Sequence, residues 1–349
     1  MHTSHLLIAG DARSTAQLAD ESVHLIVTSP PYPMVQMWDT LFAAQDKVVA
    51  NYLQEQHGQE AFEAMHLQLD RVWAECVRVL APGGIACINI GDATRSIAEN
   101  FALYPNHARI MQAFTQLNMQ CLPLILWRKT TNAPNKFMGS GMLAPGAYVT
   151  LEHEYILVFR KGGKRAFAER QEKNLRASSA YFWEERNQWF TDMWQLKGER
   201  QQLDEGLDRE RSAAFPFELP YRLLNMYSLK GDTVYDPFTG TGTTSLAAIA
   251  SGRNSIGMDL SKDLLQVAAN RIENLDMDAL NQIIQKRLDD HRAFEQARIS
   301  QKGPLKYRNA CYGFGVMTRQ EQNLYLNPLE RLSPKGGFCW EASYLPDPA

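Results

Sequence analysis

Val27-Thr28-Ser29-Pro30-Pro31-Tyr32 is the stretch from which the rest of the chain is read. The residues leading into it, His24-Leu25-Ile26-Val27, are an apolar run suited to a buried strand. A polar turn stiffened by two prolines then stands at the strand's carboxyl end, where open α/β sheets bind their ligands. Each proline removes a backbone N–H and fixes φ, so the carbonyls of Ser29 and Pro30 form a stiff array. Ser29 adds a hydroxyl and Tyr32 a flat ring. Such a turn can accept hydrogen bonds from an amino group while the ring stacks on that group's aromatic plane. Taken alone, the six residues also suit a plain proline turn with Tyr32 as a surface aromatic.

A second stretch, Val234-Tyr235-Asp236-Pro237-Phe238-Thr239-Gly240-Thr241-Gly242-Thr243-Thr244, reads as strand, glycine turn and helix start. Gly240 and Gly242 allow backbone close to a ligand where a Cβ would clash. The helix from about Thr243 aims its N–H groups and positive dipole end at the same place. The next strand, Asn254–Met258, runs into Asp259, 19 positions after Gly240, near the spacing at which an acidic residue meets ribose hydroxyls. No third glycine completes a dinucleotide fingerprint and no lysine completes a P-loop.

Together the two stretches resemble the amino-methyltransferases of DNA, which use S-adenosylmethionine. In that family a (S/D/N)PP(Y/F) turn holds the target amine and a DPFxGxGT turn holds the cofactor. The TSPPY form is most like the site-specific cytosine-N4 members. Here the catalytic turn precedes the cofactor turn, the reverse of most Rossmann-like methyltransferases, which implies the circularly permuted β-order group. The implied fold is α/β: a mostly parallel sheet with helices on both faces, an antiparallel edge hairpin and a small DNA-recognition region.

The resemblance assigns Ser29, Pro30, Pro31 and Tyr32 to catalysis. It places Asp11, Phe215, Phe217, Asp236, Pro237, Phe238, Thr239, Gly240, Gly242, Thr243 and Asp259 around the cofactor. Asp11 equally suits the N-cap of a helix near Ser14–Leu18, and the two phenylalanines equally suit core packing. Residues 1–162 are expected to hold the catalytic half, 163–212 the target-recognition region, 213–275 the cofactor half and 276–349 a C-terminal helix and tail.

Periodicity fills in the elements. Leu67–Leu80 carries a helical apolar stripe, Pro82-Gly83-Gly84 a turn, and Ile85–Ile90, Leu122–Trp127 and Glu154–Phe159 buried strands. Residues 40–66 are polar and read as a helical insertion outside the core. Pro220 argues against a regular helix over Ala213–Leu224. From Gly303 onward no periodicity stands out.

The net charge of −3 provides no global basic field, so contact with DNA requires a local patch. Lys129 and Lys136 in a long polar loop, and Arg160, Lys161, Lys164 and Arg165 beyond the last strand, are the candidates. The five cysteines are odd in number and form no CxxC motif, which points away from zinc and a disulfide framework and towards a reducing cytoplasm. No apolar run is long enough for a membrane span.

The expected reaction is direct methyl transfer from S-adenosylmethionine to the exocyclic N4 amine of a cytosine flipped out of duplex DNA. Ser29 favours cytosine over the alternative, adenine N6. A non-catalytic DNA-binding module of the same fold is the reading from another class, and the intact motifs argue against it. The family also suggests a partner restriction endonuclease acting on the same site, which no residue here encodes. No metal is implied.

Overall fold

The computed structural model describes residues 1–129, 144, 149–197 and 215–346. Strands β1 (His2–Ala9) and β2 (Val23–Thr28) precede helices α1 (Asp39–Gln45), α2 (Lys47–Gln54) and α3 (Gly58–Val79). Next come β3 (Leu80–Ile90), the hairpin β4 (Ala93–Ile97) and β5 (Asn100–Tyr104), α4 (Asn106–Gln116), β6 (Met119–Lys129) and β7 (His153–Lys161). Then follow α5 (Arg170–Ser178), α6 (Trp183–Trp189), β8 (Met193–Leu196), α7 (Glu218–Tyr227), β9 (Thr233–Asp236), α8 (Thr243–Ser251), β10 (Asn254–Asp259) and α9 (Lys262–Glu273). The chain closes with α10 (Met277–Lys302), β11 (Tyr307–Arg308), β12 (Gly315–Val316), β13 (Leu329–Pro334) and β14 (Cys339–Tyr344).

Among the described residues, ten strands form one sheet, ordered β13-β14-β1-β10-β9-β2-β3-β7-β6-β8. Its central five, β1, β10, β9, β2 and β3, run parallel. β7 and β6 add the anticipated antiparallel hairpin beyond β3. A second hairpin, β13–β14, pairs antiparallel with β1 at the other edge and was not anticipated. Its signal is the alternation in Cys339–Tyr344, where Trp340, Ala342 and Tyr344 are buried.

Both faces of the sheet are covered, as parallel strands require. Along β2, Leu25 and Val27 join one core with residues of α7, α8 and α9, while Ile26 joins the opposite core with residues of α1 to α4. The same alternation splits Cys87 from Ile88, and Val158 from Leu157.

Four local expectations are corrected. Residues 40–66 are not an outlying insertion: Phe42, Val49, Phe62 and Met65 are buried in the second core. No helix follows Asp11; residues 12–18 are turns. Pro82-Gly83-Gly84 lies inside β3, as a register shift against β2. Pro220 sits in the first turn of α7, where its missing N–H interrupts no intrahelical bond.

β2 and β9 are parallel neighbours, with Leu25 opposite Val234 and Ile26 opposite Tyr235. From β9 the chain goes through α8 to β10 on one side. From β2 it goes through α3 to β3 on the other side and the other face. A crevice therefore opens at the carboxyl ends of β2 and β9, the topological switch point.

Candidate active site

That crevice is a cleft of about 1310 Å³, its open mouth included. Of the residues singled out in the sequence, Ser29, Pro30, Pro31, Asp11, Phe215, Asp236, Pro237, Phe238, Thr239, Gly240, Thr243 and Asp259 line it. The proline turn and the glycine turn thus face one space. Three others stand behind the lining. Gly242, at φ +79°, packs so closely on α9 that a Cβ there would lie 2.9 Å from the Ala268 Cβ. Phe217 stacks on Tyr221, with centroids 5.5 Å apart. Tyr32 is buried.

Residues 33–39, which in the sequence suit either the rim of a base site or plain packing, bring Trp38 to the cleft. Sequence reasoning missed the rest of that wall: Leu41, Phe42 and Gln45 line the cleft from α1, and Gln68, Leu69 and Val72 line it from α3. Their i, i+3, i+4 spacing carries the signal of a helical face.

The two turns are joined by Asp236. Thr28 Oγ1, one residue before the proline turn, donates to Asp236 Oδ1 at 2.6 Å. Thr244 Oγ1, in the first turn of α8, donates to Asp236 Oδ2 at 2.6 Å, and the Phe238 amide donates to Oδ1 at 3.1 Å. Burial pushes the Asp236 carboxyl up to about 6, with the two threonine hydroxyls pulling the other way.

Asp259 carries the glycine turn from the next strand. Its Oδ2 accepts from the Gly240 amide at 3.0 Å and its Oδ1 from the Ser261 amide at 2.8 Å. Asp11 accepts from Arg13 Nε at 3.0 and 2.9 Å, and Arg13 Nη1 continues to Gln68 Oε1 at 2.7 Å. The Arg13 bond holds the Asp11 carboxyl below its usual range.

Beneath the proline turn lies a polar network. The Tyr32 hydroxyl is 3.0 Å from Ser29 Oγ, donates to Glu154 Oε2 at 2.9 Å and accepts from Asn89 Nδ2 at 2.9 Å. Asn89 Nδ2 also reaches Glu154 Oε2 at 2.7 Å, and Lys129 Nζ pairs with Glu154 Oε1. Burial is the main cause that drives the Tyr32 phenol well above its usual range, with the neighbouring Glu154 charge adding to it. Glu154 and Asn89 were not singled out in the sequence; both sit in apolar strands, where a buried polar residue is the readable anomaly.

The basic candidates scatter. Lys129 belongs to the network just described, and Lys136 lies outside the described residues. β7 runs antiparallel to β3, so Glu154 stands at the cleft end of the sheet and Arg160 and Lys161 at the far end, Arg160 opposite Ile85. Lys161 donates to the carbonyls of Val77 and Leu80, and Arg165 pairs with Asp232 at 2.7 Å, next to the amino end of β9. The structure does not bring Arg160, Lys161, Lys164 or Arg165 to the cleft.

The geometry fits a cofactor with one cationic end. Gly240, at φ +50°, faces open space: a Cβ built there meets only the Phe238 carbonyl oxygen, at 4.0 Å. Asp236 borders the same space and suits the cofactor's cationic group, while the amino end of α8, positive by its dipole, suits a carboxylate on the same ligand.

Comparison with known proteins agrees with this geometry. The profile of a family described as DNA methylase matches residues 23–270. The type II methyltransferase M.MthZI of Methanothermobacter thermautotrophicus is 50% identical over 328 residues, 93% of this chain and 91% of that protein. The type II methyltransferase M.MjaI of Methanocaldococcus jannaschii is 48% identical over 281 residues, 77% of this chain and 91% of its own. A crystal structure from Thermus thermophilus, assigned as a DNA modification methylase and complexed with S-adenosyl-L-methionine, superposes with a TM-score of 0.60. It is 34% identical and covers 76% of this chain and 92% of that one.

Proposed function

The chain belongs to the DNA methylase family of amino-methyltransferases, and from that premise we propose that it methylates the N4 amine of a cytosine at a specific site in duplex DNA. S-adenosylmethionine supplies a methyl group on a positively charged sulfur. The observation that carries the reading is the shared cleft: Ser29 and Pro30 face the same space as Asp236 and Gly240, and the Thr28–Asp236–Thr244 bridge fixes one turn against the other.

The chain's own groups act by position. The lone pair of an exocyclic amine is delocalised into its ring, so the amine is a weak nucleophile. With the Ser29 hydroxyl oxygen and the Pro30 carbonyl accepting its N–H bonds, the lone pair turns out of the ring plane. S-adenosylmethionine would supply the methyl group, the carbon–sulfur electron pair staying on sulfur, and the amine proton held at Ser29 Oγ or the Pro30 carbonyl would leave to water. Holding both reactants in line provides most of the acceleration. The Asp236 carboxylate would hold the cationic end of the cofactor and Asp259 its ribose, both residues lining the cleft.

Duplex DNA hides the amine, so the base has to leave the stack. Tyr32 is buried beneath the turn, and we assign the ring that meets the flipped base to Trp38, which lines the cleft. Residues 163–212 and the segment after Lys129 are assigned to DNA recognition, and a restriction–modification setting with a matching endonuclease is part of the proposal. The late position of the glycine turn in the chain, with β9 still at the sheet's centre, supports a circular permutation.

The test is methyl transfer onto mixed-sequence duplex DNA, digested to nucleosides and resolved by mass spectrometry. N4-methylcytosine is the expected product. N6-methyladenine would keep the transfer chemistry and overturn the base assignment from Ser29. No methylated nucleoside, despite cofactor binding, would move the chain to the non-catalytic reading.

A further inference from the structure

We propose that Glu154 is a positioning residue for the transfer: acting through Tyr32, it obliges Ser29 to present lone pairs rather than its proton to the cleft. The inference rests on the amine-methylation reading above, which needs an acceptor at Ser29.

The argument is a count of protons. A phenol hydroxyl has one donor and two acceptor sites. Tyr32 Oη has three polar neighbours, at 2.9 Å (Glu154 Oε2), 2.9 Å (Asn89 Nδ2) and 3.0 Å (Ser29 Oγ). A carboxylate only accepts, so the Tyr32 proton goes to Glu154. The Asn89 amide donates into one phenol lone pair. It cannot be turned round, because its Oδ1 would then face the Glu154 oxygen that now lies 2.7 Å from Nδ2. One phenol lone pair remains, and it faces Ser29. Ser29 therefore donates its proton inwards, and its own lone pairs are left for the cleft, which Ser29 lines.

Two features indicate that the arrangement is built. Glu154 is 9% exposed, and a carboxylate at that depth is costly unless its oxygens are satisfied. Lys129 takes Oε1, leaving Oε2 for Tyr32 and Asn89. Gly91 makes the meeting possible: a Cβ there would come within 3.0 Å of the Tyr32 ring and 3.3 Å of Glu154 Cγ.

The test compares Glu154→Leu, Tyr32→Phe and the double variant in single-turnover methyl transfer, with cofactor affinity measured alongside. In Glu154→Leu the carboxylate that orients both the Tyr32 proton and the Asn89 amide is gone, so Asn89 can turn and the Tyr32 proton is shared between Asn89 Oδ1 and Ser29. Ser29 is then no longer held with its proton inwards, and the rate should fall roughly tenfold, with cofactor Kd within about threefold of wild type. Tyr32→Phe frees the Ser29 hydroxyl to rotate and should likewise lose about tenfold. The two changes release the same proton, so the double variant should stay at about the Tyr32→Phe rate. A double variant as slow as the two losses multiplied, or a Glu154→Leu rate equal to wild type, overturns the proposal.

A neutron structure of the wild-type chain keeps the idea testable if Glu154→Leu fails to fold. Deuterium on the Tyr32–Glu154 and Ser29–Tyr32 lines supports it, and a Ser29 deuterium pointing into the cleft overturns it. A wild-type chain that methylates no DNA overturns the function reading itself, and this role with it, whatever the deuterium positions show.

Discussion

Gly240→Arg should lose S-adenosylmethionine binding by at least about 100-fold, roughly 3 kcal/mol, while the chain stays folded and holds duplex DNA as before. The space above Gly240 is open, so the protein itself tolerates a side chain there; the local strain is that of a left-handed residue at φ +50°, about 1–2 kcal/mol. The arginine occupies the room the ligand needs and sets a positive charge against a cationic cofactor. Gly242 is the contrasting control. It sits at φ +79° with the Ala268 Cβ in its way, so even Gly242→Ala should displace α9 and lower the melting temperature by several degrees. Titration calorimetry with cofactor and with DNA, plus a melting curve for each variant, separates the cases. A Gly240→Arg chain that binds cofactor normally would remove the cofactor from this turn.

The contrast between the glycines shows what the sequence could and could not say. Both were legible as turn glycines, because strand, GxG and helix start are local patterns. Which one borders the cleft and which one admits a helix depends on α9, some 25 residues later. The proline turn was legible for the same local reason. The role of Tyr32 was less so: a ring beside a polar turn suggests stacking, whereas the fold buries it against Asn89 and Glu154, from strands far along the chain. Charge likewise cannot be placed without the fold. The richest basic run follows β7, and an antiparallel strand beginning at the cleft has to carry its end to the opposite end of the sheet. That inversion is a property of the sheet and appears in no window of residues. The second edge hairpin was legible in the alternation from Cys339 to Tyr344, hidden by the glycines and prolines around it.

Asp236→Asn should make the protein more stable at pH 8 and nearly inactive. The carboxyl titrates at about 6 in the folded chain against 3.8 for the ordinary group, raised by burial. A raised acid stabilises the fold while protonated: that contribution is whole below about pH 4 and is lost as the pH rises through about 6. By about pH 8 the loss is on the order of 3 kcal/mol, at about 1.4 kcal/mol per unit. The asparagine carries no charge to bury, so its advantage over wild type should be near zero at pH 4 and grow to pH 7. Denaturant melts across that range measure the difference directly, and an advantage independent of pH would remove Asp236 as its source. Retaining a carboxylate that weakens the fold is explained by what it holds, Thr28 on the proline turn and Thr244 on α8, together with the cationic end of the cofactor that the proposed reaction would set against it. Cofactor affinity should therefore weaken as the pH falls below about 6, where the carboxylate must first lose a proton, and should be low at every pH in Asp236→Asn. With the amide the two turns also lose their charged link. A shift of about an ångström between reacting atoms costs roughly 100-fold, so transfer should fall by more than the loss of cofactor affinity alone, measured at saturating cofactor. Wild-type turnover in this variant would mean that the two turns are held together by the sheet without the bridge.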